Sequence, residues 1–168
     1  MRKTYEERGM KFAKFLAKLF QDCIYLEDFE YILARYNYTH SRKLQWAHGV
    51  SRIAIMRADY VIKFDFQPVG RWASGLAGDC YSEEEVYDMA VADGMEYLFA
   101  KTTVDAEYGK TFSVMPRIND VNNGNKYWWA YCTAEEREWL EEHVNDLHVG
   151  NVGYRHGKVC VIDYAWGV

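Results

Sequence analysis

The chain has 168 residues, a formal net charge of −5 and a sequence pI near 5.5. This length suits one domain or a small two-lobed unit that buries about two-thirds of its unfolded surface. The acidic balance argues against direct nucleic-acid binding, and no apolar run approaches the length of a membrane span. The four cysteines form no Cys-x-x-Cys pair and are typical of reduced thiols. We therefore expect a cytoplasmic protein without membrane or nucleic-acid partners.

The N-terminal part is predicted to be helical. Residues 5–19 place apolar side chains at helical spacing opposite a row of lysines, which is typical of a surface helix. Residues 26–34 are predicted to form either a second, short helix or a turn-rich segment, and the polar stretch 37–44 is expected to be a loop. We interpret residues 1–45 as an N-terminal helical extension.

Two β-strands are predicted next, at residues 50–56 and 60–66, because both runs are rich in β-branched side chains. The second strand contains one cation, Lys63. A proline and several glycines make residues 67–78 a connection between elements.

A helix is predicted at residues 82–100, with an interruption near Gly94. Ser82 and Glu85 have the spacing of a capping box at its start. Glu85 lies one turn before Met89, so we expect its side chain on the inward edge of the helix.

A β-hairpin is predicted at residues 102–107 and 111–115, turning at Tyr108 and Gly109. The following residues, 116–124, read as a hinge between two lobes, with an Asn-Asn-Gly turn near its end.

A capped helix is predicted after the hinge, because Glu136 follows Thr133 at the spacing of a capping box. We expect this helix to run to about Asn145. The aromatic residues at 127–131 either pack the start of the helix or form a docking surface, and packing is the favoured interpretation.

The C-terminal stretch combines oxygen-bearing side chains with a short hairpin. Asp146 and Asn151 are separated by a glycine-containing loop, and Asp163 follows a β-rich run at 158–162. Gly157 is suited to the hairpin turn. Magnesium takes oxygen ligands and keeps several waters, so one carboxylate and one amide beside phosphate oxygens suffice.

This stretch resembles the catalytic loop and metal-binding strand of the protein-kinase-like superfamily. Its D-L-H-x-G-N form resembles aminoglycoside and choline phosphotransferases and atypical kinases more than ordinary eukaryotic kinases. The whole string also resembles small kinase-like proteins of bacteriophages. The resemblance implies that Asp146 is the catalytic acid, and that Asn151 and Asp163 bind Mg²⁺ beside ATP.

The resemblance also implies a fold: α+β, a minimal protein-kinase-like arrangement. An antiparallel N-lobe sheet with a helix would occupy residues 46–118. An abbreviated helical C-lobe with the catalytic loop and hairpin would occupy 119–168. Because the chain ends five residues after Asp163, we expect no activation segment, and a homodimer is a reasonable hypothesis for so short a lobe.

Further site residues follow from the same resemblance. Lys63 lies where such proteins carry the phosphate-contacting lysine, in a strand like V-A-I-K. Glu85 would hold Lys63 in place, with Glu84 as the alternative. Gly49 is the one glycine in residues 46–51, where a glycine-rich phosphate loop is usual.

Two functions are compatible with these features. The first is an ATP- and Mg²⁺-dependent phosphotransferase, a small protein Ser/Thr kinase-like enzyme. The alternative is a catalytically inactive pseudokinase that binds and inhibits a host protein, in the host cytoplasm if the chain is phage-encoded. A zinc site of His143, His148, His156 and Cys160 is disfavoured, since their spacing matches no established closed site.

Overall fold

The structure, a computed structural model, describes residues 1–66, 78–118 and 127–164. Within these ranges the chain is α+β, with four α-helices, a five-stranded antiparallel sheet and a separate two-stranded hairpin. The predicted fold class is confirmed to that extent. The chain divides into two compact units, Met1–Cys80 with Thr103–Arg117, and Tyr81–Thr102 with Ile118–Val168. The N-terminal helices thus share a unit with the sheet.

The first unit begins with two helices, α1 at Tyr5–Leu19 and α2 at Leu26–Thr39. The side chain of Thr4 caps α1 by accepting the Glu7 N–H at 3.2 Å. Helix α2 extends beyond the predicted end at residue 34, so the prediction of a loop from residue 37 is wrong at its start. The chain then turns where Asn37 bonds both backbone groups of Leu44.

The sheet of the first unit has the strand order β1-β2-β3-β5-β4, all antiparallel. Its strands are β1 Gln45–His48, β2 Arg52–Met56, β3 Tyr60–Asp65, β4 Thr103–Glu107 and β5 Lys110–Pro116. Strand β1 was not predicted. The β4–β5 hairpin was predicted, and Tyr108 and Gly109 form its turn with φ of 51° and 72°.

One face of this sheet packs against α1 and α2. Gly9 of α1 permits the close approach, because a Cβ there would lie 2.5 Å from Val114 Cγ1. Aromatic rings fill the layer, with Phe20 and Phe64 edge to face at a centroid distance of 5.0 Å. The buried side chains that the strands contribute to this face are Ile53, Ile55, Tyr60, Ile62, Phe64, Phe112 and Val114.

Helix α3, Asp79–Ala92, starts one turn before the predicted position, so Ser82 lies inside the helix and the predicted cap is wrong. The physical reason is a contact distant in sequence, in which Asp65 accepts the Cys80 N–H at 3.4 Å. The predicted interruption at Gly94 is confirmed, since Gly94 has a φ of 72°.

In the second unit the predicted capping box is confirmed. The Thr133 N–H donates to Glu136 Oε1 at 2.8 Å, and the Glu136 N–H donates to Thr133 Oγ1 at 3.1 Å. Helix α4 spans Ala134–His143 and ends before the predicted Asn145, because Val144 already has an extended backbone.

The C-terminal hairpin of the second unit consists of β6, Val152–Arg155, and β7, Lys158–Val161. His156 and Gly157 form its turn with φ of 55° and 74°, as the prediction of a turn at Gly157 required. The predicted connection at 67–77 and the predicted turn near residue 123 lie outside the described residues.

Candidate functional site

The loop between α4 and β6 is shaped by its own side chains. Asp146 has a φ of 56°, a conformation that aspartate tolerates better than most residues. Asn151 Nδ2 donates to the Asp146 carbonyl at 2.9 Å and closes the loop. The Asp146 carboxylate is 71% exposed, so it faces solvent at the loop's entry.

His148 supports the loop from within. The Gly150 N–H donates to His148 Nδ1 at 3.0 Å, so Nδ1 is unprotonated and Nε2 carries the hydrogen. His148 Nε2 lies 3.7 Å from Asp146 Oδ2. A Cβ on Gly150 would lie 2.8 Å from the His148 ring, so a larger residue there would displace this exposed imidazole.

The loop is fastened to the end of the hairpin. The Asn151 carbonyl accepts the Ile162 N–H at 2.9 Å and the Asp163 N–H at 3.4 Å. The next residue is anchored as well, because Tyr164 is buried and its hydroxyl donates to the Ala100 carbonyl at 2.6 Å. The half-buried Asp163 is therefore held between two fixed neighbours, beside the backbone of Asn151.

This junction places one amide and one carboxylate side chain on adjoining chain segments, and both groups carry oxygen atoms of the kind that a hard divalent cation binds. The amide nitrogen of Asn151 is used by the bond to Asp146, which leaves the amide oxygen as the ligand atom. Asp163 adds a carboxylate from the neighbouring chain segment. An amide oxygen and a carboxylate suit Mg²⁺, with waters and phosphate oxygens completing the shell.

Lys63 lies in the middle of β3, on the sheet face opposite α1 and α2. It is 8% exposed, and its neighbours across the ladder are Ala54 on β2 and Ser113 on β5. A lysine this deeply buried needs hydrogen-bonding or oppositely charged neighbours, since an unpaired buried ammonium is strongly disfavoured.

The acid that α3 buries is not the one expected. Glu85 is exposed, as is Met89, so the prediction that they share the inward edge is wrong. Glu83 is fully buried, and Glu84 is half-buried. Glu83 precedes the buried Val86 by three residues, a spacing that places both on one helix face and that could have identified it from sequence.

Gly49 belongs to the β1–β2 turn. Its N–H donates to the Arg52 carbonyl at 2.9 Å. A Cβ on Gly49 would meet no atom within 4 Å, and its φ is not positive. The turn therefore leaves open space above this backbone, although its own geometry does not demand glycine.

A cluster of charges that sequence reasoning missed surrounds the start of α3. Burial raises the pKa of Asp65 to about 6, although Arg52 and hydrogen bonds from Cys80 oppose that rise. Ser51 donates a hydrogen bond to Asp79. Arg52 and Asp65 lie opposite each other in the β2–β3 ladder, so strand pairing brings these two residues together.

Across residues 1–66, 78–118 and 127–164, no three His, Cys, Asp or Glu side chains come together as a metal site. His143 instead stacks on Trp139 at 4.1 Å, and His156 occupies the hairpin turn. The thiol of Cys160 is buried, which raises its pKa to about 11. The described residues thus hold no zinc cluster.

The aromatic residues at 127–131 are partly buried and partly exposed, so neither packing nor a docking surface accounts for all of them. Trp128 is buried, and the half-buried Tyr131 packs on Tyr154 at 4.5 Å. Tyr127 and Trp129 are exposed, with ring centroids 4.9 Å apart. Packing therefore accounts for part of the stretch and leaves two rings at the surface.

No helix in the described part of the chain is both long and apolar enough to cross a membrane. No family model matches this sequence, and no curated protein matches it either. Among solved structures, the chain is similar to a 2.2 Å crystal structure of WbdD and to a co-crystal structure of WbdD with the kinase inhibitor LY294002. Both are 17% identical, with TM-scores of 0.41 and 0.40, over 76% of this chain. The chain spans 33% of the length of each WbdD chain that it matches.

Proposed function

We propose that this chain is an ATP- and Mg²⁺-dependent phosphotransferase of the protein-kinase-like fold, acting on a hydroxyl group of a protein substrate. The observation that carries the proposal is the junction in which the Asn151 carbonyl accepts the N–H groups of Ile162 and Asp163. That junction keeps an amide and a carboxylate together on two chain segments.

In this proposal Asn151 and Asp163 hold the metal. Bound Mg²⁺ would neutralise charge on the phosphate chain, which is the main requirement of phosphoryl transfer. The residues contribute by position: Asn151 is fixed through both its backbone and its side chain, and Asp163 through the anchored Tyr164.

Asp146 would accept and orient the acceptor hydroxyl. Its carboxylate is exposed at the entry of the loop, where a substrate side chain can reach it. The contact from His148 Nε2 would favour one orientation of the carboxylate. Because that contact is 3.7 Å long and exposed, its energetic contribution is small.

Lys63 would bind the phosphates of ATP, and the turn at Gly49 would lie over them. Glu85 is exposed, so it is not the acid proposed to hold Lys63, whereas Glu83 is the acid that α3 buries. A buried carboxylate must be paired to be tolerated, whereas an exposed one has no such requirement.

Nucleotide binding is tested first by thermal unfolding with and without Mg-ATP. A ligand at a hundredfold excess over its Kd stabilises the native state by about 2.7 kcal/mol. We expect a clear rise in Tm for the wild type and for Asp88→Ala, an exposed acid on α3. Asp163→Ala should abolish the rise. A wild-type Tm that ignores millimolar Mg-ATP would contradict the proposal.

Catalysis is tested by transfer of radiolabelled γ-phosphate to protein. Asp146→Asn should still bind Mg-ATP but lose transfer, since its side chain serves the acceptor. Lys63→Met should lower transfer strongly, since the ammonium that binds phosphate is lost, and Glu85→Gln, at an exposed site, should leave transfer close to wild type. Transfer that is retained in Lys63→Met would rule out the proposed role of Lys63.

A second function is favoured by the exposed rings of Tyr127 and Trp129. In it, the chain is a pseudokinase that binds and inhibits a host protein. Purified chain that fails to bind Mg-ATP, yet captures one host protein in a manner abolished by replacing both rings with alanine, would establish this function instead.

A further inference from the structure

Strand β5 presents two hydroxyl groups on the sheet face that carries Lys63. Its side chains alternate, so Phe112 and Val114 enter the core beneath α1 and α2 while Thr111 and Ser113 face the other way. Ser113 is 0% exposed. Within the described part of the chain, Ser113 Oγ and Thr111 Oγ1 have no hydrogen-bond partner.

Ser113 lies directly across the β3–β5 ladder from Lys63. Residues paired in this way project to the same face, with their Cβ atoms roughly 5 Å apart. The serine hydroxyl is therefore within reach of any oxygen atom that the lysine ammonium binds. Buried hydroxyl groups in native proteins are generally hydrogen-bonded, so an unpaired one beside a cation indicates a place for such an oxygen.

We propose that Ser113 is a second phosphate-binding residue: its Oγ–H donates to the phosphate oxygen that Lys63 binds. This inference rests on the proposed nucleotide binding and adds a contact to it. The hydroxyl is neutral, so it contributes direction to a contact in which lysine contributes charge.

Among the described residues, Thr103 Oγ1 is also buried without a hydrogen-bond partner. An unpaired hydroxyl by itself is therefore not evidence of a phosphate contact. Thr103 is opposite Val114, which points into the core, so its hydroxyl is on the helix-covered face. The difference between the two sites is the neighbouring cation. Thr103 thus provides a matched control on the same sheet.

The test compares wild type, Ser113→Ala, Thr103→Val and Asp163→Ala by calorimetric titration with Mg-ATP, magnesium tripolyphosphate and adenosine, alongside the Tm of each free protein. We expect Ser113→Ala to keep the free-protein Tm and to weaken Mg-ATP and tripolyphosphate roughly tenfold, as for one hydrogen bond to a charged group. Adenosine affinity should be unchanged. Thr103→Val should bind all three like the wild type.

Unchanged tripolyphosphate affinity in Ser113→Ala would overturn the inference, while binding that is lost only in Asp163→Ala would leave the proposed function standing. An equal loss of adenosine and tripolyphosphate affinity would also overturn it, since the contact would not be to phosphate. Absence of any binding by the wild type would overturn both proposals. If Ser113→Ala unfolds, Ser113→Cys replaces it, because a thiol fills the site but donates weakly.

Discussion

The Asn151 carbonyl accepts the Ile162 N–H at 2.9 Å. This bond joins the loop that carries Asp146 to the strand end that carries Asp163. The junction belongs to the backbone, whereas the bond from Asn151 Nδ2 to the Asp146 carbonyl belongs to the side chain. Mutation can therefore separate the two contributions.

Asn151→Ala should destabilise the chain by about 0.5–1.5 kcal/mol, because one hydrogen bond inside the loop is lost. It should also abolish Mg-ATP stabilisation, since the amide oxygen is lost too. Chemical unfolding with and without Mg-ATP measures both effects. Glu142→Ala, at an exposed site on α4, is the control for unspecific damage. Retained Mg-ATP stabilisation in Asn151→Ala would exclude this residue as a ligand.

Glu136 should make folding stability depend on pH in the acidic range. Burial disfavours its ionisation, but hydrogen bonds from the Thr133 N–H, Tyr97 and Lys158 outweigh burial and lower its pKa to about 2. A carboxyl group with a lowered pKa contributes stability above its unfolded value near 4.5, and this contribution is lost as pH falls toward 2. Glu136→Gln should cost about 1–3 kcal/mol at neutral pH and flatten the acid limb of a Tm–pH curve.

Glu138→Gln changes an exposed acid on the same helix and should leave that acid limb intact. Parallel curves for wild type and Glu136→Gln between pH 2 and 4.5 would show that the hydrogen-bonded carboxylate does not govern acid unfolding.

Asp65 should make folding stability fall as pH rises, whereas Glu136 makes it rise. Burial raises its pKa to about 6, so between roughly pH 4 and 6 the folded chain binds a proton that the unfolded chain releases. Its contribution to stability therefore falls as pH rises through this window. Asp65→Asn should flatten that part of the Tm–pH curve, while Asp22→Asn, at an exposed site, should not. A slope in Asp65→Asn equal to that of the wild type would contradict the burial argument.

Gly9 and Gly49 should respond differently to alanine. At Gly9 the added methyl group would meet Val114 at 2.5 Å and the Tyr60 ring at 3.3 Å, so overpacking of about 1–3 kcal/mol outweighs the helix propensity gained. At Gly49 the methyl group meets nothing within 4 Å, and the change should stay within about 0.5 kcal/mol. Urea unfolding measures both. A Gly9→Ala chain as stable as wild type would show that α1 can move away from the sheet.

Elements governed by local rules were predictable. The capping box of Thr133 and Glu136 fixes the start of α4 from four adjacent residues. The hairpin turns follow from glycines at positions 109 and 157, which adopt positive φ. The backbone bonds from Ile162 and Asp163 to Asn151 join the loop to the strand end, while the roles of Asp146, Asn151 and Asp163 stay predictions.

Features governed by distant contacts were not predictable in the same way. Helix α3 begins at Asp79 because Asp65 meets its first turn, and no local signal shows that partner. That earlier start leaves Ser82 inside the helix, and Glu83 rather than Glu85 lies on the buried face. Strand β1 carries few β-branched side chains and owes its conformation to pairing with β2.

The packing of α1 and α2 on the sheet also decides how the chain can be shortened. A fragment starting near residue 46 would expose the aromatic and aliphatic side chains of the sheet that α1 and α2 cover. Such a fragment would present an exposed apolar surface of the kind that drives self-association. A chain shortened in this way should aggregate, because α1 and α2 cover the apolar face of the sheet.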